Sequence, residues 1–541
     1  MKVLCRLIST IFILLSFLFI SGNAFAQSTS DWPTFQRDSQ HTGFNSVEST
    51  LTPPLTLLWS RALDTTPSGY PGIVSSNGTL FAKSNSGILY AIDNSSGNIK
   101  WQTQTQAGGA IAIANNTVYA GNNCDNCTLD AFDATTGQLI WSTVPLSRGV
   151  LGINVAGDKI FFGSHARNVR AADANTGAIL WETGVSDGVV ATPAVADGVV
   201  YIGSFCCTLY ALDASTGSIL WSRPDLGGVF FSSPTIANGV LYIGSGTARV
   251  FAVNASNGST IWSFGPTEDS VWGTPAVANN IVYVQTLVGR LYAIDATSGT
   301  QIWTHKTQST NNEISPLAIA NGVAYQTSFD NNIYALNTQT GNLLWRYTTG
   351  GSVYSPIVTD NKLFFVSNDG KIYAFSNARL LTSLSPAKIW IGLKNSDDVG
   401  TRFDLKAEVY RNSTEFVSSG QLDNVWGGSS GFNNANLRTI PFNTFTPVDF
   451  PQGSALSIKL YVRNACIGPT HNSGTARLWY DDAAANSRFD ATIEGTNRDY
   501  YLREIFVLST TVGSGPKKKI DVQAGSPCSP FKTFGTWSIT P

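Results

Sequence analysis

From about residue 51 to residue 380 the chain is written in short apolar runs broken by glycine, asparagine and aspartate. One stretch shows the grammar: Ala191-Thr-Pro193-Ala-Val-Ala, then Asp197-Gly198, then Val199-Val-Tyr201-Ile-Gly, then a turn through Cys206 and Cys207. It continues with Leu209-Tyr210-Ala211-Leu-Asp213, then Thr216-Gly217, and ends in Ser218-Ile-Leu-Trp221. Short runs rich in β-branched and aromatic residues and bounded by turn formers predict strands, not helices. Asp197-Gly198 predicts a two-residue hairpin, because both residues tolerate positive φ. Thr216-Gly217 predicts the last hairpin, so the unit reads as a four-stranded antiparallel meander.

The unit recurs. The pattern Ala-x-Asp-x-x-Thr-Gly-x-x-x-Trp first closes at Trp101 and returns at Trp141, Trp181, Trp221, Trp262, Trp303 and Trp345, with steps of 40, 40, 40, 41, 41 and 42 residues. A fixed period of this length built from strands predicts a radial or solenoidal repeat. One such sheet cannot bury both its faces. Stacked about an axis, each sheet covers its neighbours, and the tryptophan of strand four fills the space between them. Ala91, Ala131, Ala171, Ala211, Ala252, Ala293 and Ala335 recur ten positions earlier and leave room for the ring. Asp93, Asp133, Asp173, Asp213 and Asp295 are placed to cap the following turn, as are Asn254 and Asn337. At a repeated turn position these carboxylates are structural rather than catalytic.

The two ends of the repeat complete one another. Trp59 lies 42 residues before Trp101 with no preceding strands, whereas Val353 to Phe375 supplies three strands but no Thr-Gly and no tryptophan. The N-terminal strand is therefore expected to become strand four of the last unit. The expected fold is all-β: an eight-bladed, tryptophan-docked β-propeller over 51–380, preceded by a lead-in segment at 27–50. Beyond it the rhythm stops. Alternating runs such as Leu456-Ser-Ile458-Lys-Leu460-Tyr-Val462 predict a β-sandwich over 381–541. Trp426, Trp479 and Tyr480 are its candidates for stacking on sugar rings, with core packing as the favoured reading.

Composition narrows the function. Charged residues make up 13% of the 541 and the net charge is −2, so there is no basic excess to suit nucleic acid. Lys2 and Arg6 precede an apolar run from Leu7 to Ile20, and Ala24-Phe25-Ala26 is a small-x-small site; residues 1–26 are expected to be a cleaved signal peptide. No later stretch is apolar for long enough to span a bilayer, so a secreted or periplasmic protein is expected. In that compartment the six cysteines after residue 26 favour disulfides. Cys466 with Cys528 would tie the C-terminal domain, Cys124 and Cys127 can pair within one turn, and Cys206 and Cys207 are sequence neighbours.

Four histidines with no shared spacing supply neither a triad nor a metal cluster, and no nucleophile elbow or phosphate loop is present. Cys124-x-x-Cys127 is followed by Thr128 rather than histidine, which argues against covalent haem attachment. On the loops that link one unit to the next, and on the turns facing them, lie Asp187, Glu268, Asp269 and Glu313, and Arg148, Arg167, Arg249 and Arg290. Solvated loop charge is their favoured reading.

The repeats resemble the pyrroloquinoline quinone repeat, the tryptophan-docking blade of quinoprotein dehydrogenases. The segment Asp31-Trp32-Pro33 through His41-Thr42-Gly43 also looks like the lead-in to such propellers. The resemblance implies the propeller fold but not the chemistry, because the same repeat builds non-enzymatic propellers, including the lipoprotein that assists outer-membrane β-barrel assembly. In the enzymes, calcium is held by carboxylate and amide oxygens, an aspartate acts as base, an arginine polarises the quinone, and an aromatic ring and a vicinal disulfide sandwich the cofactor. Cys206-Cys207 resembles that pair. No recognisable calcium motif accompanies it, and the long insertions of the enzymes are missing. The expected role is a non-catalytic binding or scaffold protein, with a protein or glycan ligand on the loop face. The alternatives are a quinoprotein alcohol or sugar dehydrogenase using pyrroloquinoline quinone and calcium, and a carbohydrate-binding surface protein acting through the C-terminal domain.

Overall fold

The computed structural model describes residues 30–540 apart from 67–71, 125, 206, 228–230, 310–314, 378–379, 396–397, 428–430, 451–453, 468–473, 494–495, 504–505 and 512–516. The proposed signal peptide, Cys206, Glu313 and His471 lie outside the described residues. The chain divides into two compact units, Met1–Asn377 and Ala378–Pro541.

In the first unit the apolar runs form antiparallel sheets in sequence order. Sheet I consists of Ile73–Ser76, Thr79–Lys83, Ile88–Asp93 and Ile99–Gln104. Sheets II to VII follow in the same order over 111–142, 153–184, 194–223, 235–264, 276–306 and 318–348. Sheet VIII takes three strands from 353–377 and its outermost strand, Leu55–Ala62, from the N-terminal side. The first strands touch in succession around the set, and that of sheet VIII returns to that of sheet I. The one-to-two hairpins carry the predicted chemistry: Asp197 and Gly198 sit at φ 50° and 76°, and Asn238 and Gly239 at 52° and 73°.

The repeated motif fastens each sheet to the next. Ala211 lies directly across from Trp221 in the ladder, fully buried. The indole of Trp181 reaches into sheet IV, where its Nε1 donates to Ala214 O at 3.1 Å. Trp59, Trp101, Trp141, Trp221, Trp262 and Trp303 make the same bond to the following sheet. Gly217 adopts φ 74°, and a Cβ there would sit 2.6 Å from Cε3 of Trp181. The glycine of Thr-Gly therefore serves the neighbouring ring as well as its own turn. Asp213 Oδ1 accepts from the backbone N–H of Ser215 and Thr216 and from Thr216 Oγ1. The bonds from Thr216, backbone and then side chain, hold its carboxyl below the usual range. Trp345 faces sheet VIII, which lacks the Thr-Gly turn, and instead meets Phe375 edge-on at 5.2 Å.

The lead-in crosses the axis and touches every sheet in turn. Trp32 O accepts from Ser75 N of sheet I, and Pro33 O from Ile113 N of sheet II. Ser39 O accepts from Asn154 Nδ2 of sheet III and from Val195 N of sheet IV. Gln40 O, Thr42 O and Gly43 O accept from Ile236 N, Val277 N and Ile319 N of sheets V, VI and VII. Asn45 Nδ2 completes the circuit on Val358 O of sheet VIII at 2.8 Å. These carbonyls satisfy inner-edge N–H groups that would otherwise be open. His41 is fully buried in this segment, between Pro234 O on Nδ1 at 2.9 Å and Asn154 Nδ2 on Nε2 at 3.2 Å. Burial pushes its pKa down to about 4.

In the second unit a four-stranded sheet runs in the order Glu415–Trp426, Arg402–Arg411, Leu456–Asn464, Lys532–Ile539. A larger, branched sheet holds the remaining strands. Phe403, Ile458 and Trp537 of the first and Ile389, Leu478 and Phe489 of the second share one apolar core. A disulfide joins Cys466 to Cys528.

Candidate functional site

On the face of the first unit where strand four of one sheet runs to strand one of the next, the linkers also meet the two-to-three turns. Asn123 N donates to Ala107 O, and Phe205 N to Gly188 O. These loops surround a funnel of about 360 Å³. Gly108, Gly109, Leu151, Val190 and Thr192 come from three linkers, and Asn85, Asn123 and His165 from three turns. Phe231, Ser233, Trp272 and Thr274 come from the next two linkers, and Phe35 of the lead-in also lines the space. A second recess of about 420 Å³ adjoins it through Asn123 and His165, and is also lined by Cys124 and Arg148.

The funnel is asymmetric for a reason visible in the repeat. At the start of strand one, five sheets carry a hydroxyl residue followed by proline: Thr192, Ser233, Thr274, Ser315 and Ser355. Sheets I to III carry Gly72, Ala110 and Gly152 there, which leaves room. The hydroxyls interlock. Ser233 Oγ accepts from Thr192 N at 2.8 Å, Thr274 Oγ1 from Ser233 N at 3.1 Å, and Ser315 Oγ from Ser355 N at 3.3 Å. Aromatic rings line one wall: Phe205 meets Phe231 edge-on at 5.1 Å, and Phe231 lies 4.2 Å from Trp272. The Trp272 Nε1 is buried with no hydrogen-bond partner among the described residues. Behind Asn123, the buried Lys83 Nζ donates to Gly121 O at 2.7 Å and Asn122 Oδ1 at 2.6 Å, tying sheet I to sheet II. Burial lowers its pKa to about 7.

The candidate charges do not converge. Arg167 pairs with Asp187 at 3.5 Å, and Glu268 with Arg290 at 2.5 Å and Lys306 at 3.4 Å. Asp269 Oδ1 accepts from Ser270 N. Of the seven described candidates, Arg148 alone lines one of these two spaces. No described lining residue of either space is a carboxylate, and no cluster of three or more His, Cys, Asp or Glu able to hold a metal occurs among the described residues. Neutral amide and hydroxyl oxygens alone are a weak donor set for calcium, so the described residues do not fit that ion.

Cys124 and Cys127 form a disulfide beside the second recess, and the half-buried Cys207 follows Phe205 in the turn at the rim. In the second unit the three aromatic candidates part company. Tyr480 is 7% exposed and packs edge-on to the core residue Trp537. Trp426 is 43% exposed, with the Arg402 guanidinium 4.1 Å over its ring. Trp479 is half-buried beside Arg477 and Lys519. The spacing singled out neither Phe231 nor Trp272. Their signal is a bulky aromatic near the end of a linker, off the register of the docking tryptophans.

Successive four-stranded sheets, docking tryptophans and an axial funnel define a tryptophan-docked β-propeller. Residues 53–147, 125–229, 207–318 and 310–382 match the family described as outer membrane protein assembly factor BamB, and the chain belongs to that family. No curated protein matches the sequence. Among solved structures, BamB from Moraxella catarrhalis is similar at 22% identity and a TM-score of 0.50, covering 60% of this chain and 99% of that one. Quinohemoprotein alcohol dehydrogenase from Comamonas testosteroni is similar at 15% identity and a TM-score of 0.53, covering 65% and 81%. A europium-containing methanol dehydrogenase is similar at 14% identity and 0.55, covering 64% and 98%. At such identities these likenesses concern the fold. The two disulfides suit an oxidising, extracytoplasmic compartment, and no helix among the described residues is long and apolar enough to cross a membrane.

Proposed function

We propose that the chain is a non-catalytic binding propeller, exported by cleavage after Ala26, that receives its ligand or partner at the linker-face funnel. The observation behind this reading is the division of chemistry at the funnel: the linker acids Asp187 and Glu268 close on cations, while the described lining is aromatic and hydroxylic and holds no carboxylate. Such a lining holds and orients a molecule but offers no carboxylate base. The match to an assembly factor family agrees with a role in binding. The test is dye-linked oxidation of alcohols and sugars by the purified mature protein supplied with pyrroloquinoline quinone and calcium. No turnover is expected, and sustained turnover would sink the reading.

A quinoprotein dehydrogenase is the second reading. It is favoured by the position of the Cys207 turn, where Phe205 meets Phe231 edge-on and Phe231 in turn meets Trp272. The same assay decides it.

A further inference from the structure

Taking the funnel as a binding site, we propose that it accepts a carboxylated sugar ring of the uronic-acid class, with the ring inward and the carboxylate at the mouth. Three independent features point there. The wall is aromatic, with Phe231 and Trp272 in contact and Phe35 also lining the space. Rings of this kind cover the apolar face of a sugar while leaving its edge for hydrogen bonds. A space of about 360 Å³ lies within the range of small-molecule sites.

The inner part presents donors. Ser233 and Thr274 are 3% and 4% exposed, and their oxygens already accept the amides of Thr192 and Ser233. A hydroxyl whose oxygen is engaged in this way still has its hydrogen to give. The indole N–H of Trp272 is buried and has no partner among the described residues. Buried donors left unmade are costly, so the inner funnel favours a molecule rich in acceptor oxygens. A plain aromatic side chain would leave all three unmet; a sugar ring with its hydroxyl and ring oxygens meets them.

The mouth selects charge. Arg148 is exposed beside Asn123 and His165, makes no ion pair among the described residues, and lines a recess with no acid among its described lining residues. Of the acids on the linkers, Asp187 and Glu268 are each paired with another cation. An unpaired guanidinium in this setting is suited to bind a carboxylate through two parallel hydrogen bonds.

Calorimetric titration of the full mature chain with digalacturonic acid, and with galactobiose as its uncharged counterpart, tests the assignment. The acid should bind saturably and about tenfold more tightly than the neutral sugar, the margin of one hydrogen bond to a charged group. Arg148→Asn, which keeps a residue at ease at the φ of 58° found there, should erase that margin. Trp272→Phe, which removes the N–H and keeps a ring, should weaken both sugars severalfold. Equal affinity for acid and neutral sugar, or an acid preference that survives Arg148→Asn, overturns the assignment. So does the absence of saturable binding by either sugar. Pyrroloquinoline quinone with calcium is titrated in parallel. If the sugars fail and the quinone supports turnover, the binding-propeller reading falls as well; if both are inert, only the sugar assignment falls.

Discussion

Replacing Gly217 by alanine tests whether the repeated Thr-Gly exists for its own turn or for the neighbouring tryptophan. Two costs arise. The backbone sits at φ 74°, and holding a residue with a Cβ in the left-handed region costs about 1–2 kcal/mol. The new methyl would lie 2.6 Å from Cε3 of Trp181 and 2.7 Å from Thr183 Oγ1. Forcing volume into a packed contact costs about 1–3 kcal/mol more. Gly198 is the natural control, with φ 76° and nothing within 4 Å of its virtual Cβ. Gly198→Ala should lose only the backbone share, and Gly217→Ala about 1–3 kcal/mol beyond it. Urea unfolding, followed by tryptophan fluorescence and far-ultraviolet dichroism, measures both variants once the two probes are shown to coincide. Adding Trp181→Leu should reduce the penalty of Gly217→Ala, because the clashing ring is gone and the two sites couple. Equal losses at positions 198 and 217, or strict additivity with Trp181→Leu, would refute the docking account.

Other outcomes follow from buried and cross-linked groups. An unfolded chain protonates His41 near pH 6.5, whereas the folded protein resists until about pH 4. Its contribution to stability is therefore complete above pH 6.5 and falls by about 3 kcal/mol as the pH drops to 4; a His41→Gln variant should lack that dependence in unfolding measured across the window. Replacing both Cys466 and Cys528 by serine opens a loop with a sequence separation of 62, and should destabilise the second unit by about 2–4 kcal/mol in non-reducing denaturation. Trp59→Ala removes the ring that docks on sheet I, and should cost about 3–5 kcal/mol and raise proteolytic nicking near the N-terminal strand.

The tryptophan spacing and the split last unit were legible because a repeat writes its period directly into the chain. The second role of Gly217 was not, because its partner Trp181 belongs to the sheet before and no local pattern links them. The wrap of the lead-in was equally hidden, since its partners are mostly backbone N–H groups, which carry no side-chain signature. The hydroxyl–proline pairs from Thr192-Pro193 to Ser355-Pro356 stood in the sequence at steps of 41, 41, 41 and 40, yet only the ring brings their side chains round one throat. Among the candidate charges, residue type identified Asp187 and Arg167 but not that they would pair. Tyr480 and Trp426 were alike as aromatic candidates; strand alternation sent the first inward and left the second largely exposed.

The tryptophan–glycine fastening is generic: it would join a further copy as readily as the present ones. The lead-in is not generic. It offers the sheets, in order, a fixed series of places to hydrogen-bond, beginning at Trp32 and ending at Asn45, with Ser39 shared by sheets III and IV. A duplicated repeat would find no rung reserved for it, and a deleted one would leave a rung unused. The segment therefore acts as a ruler. In a lineage that grows by copying units, it makes the number of units a heritable property of some fifteen residues outside the repeat.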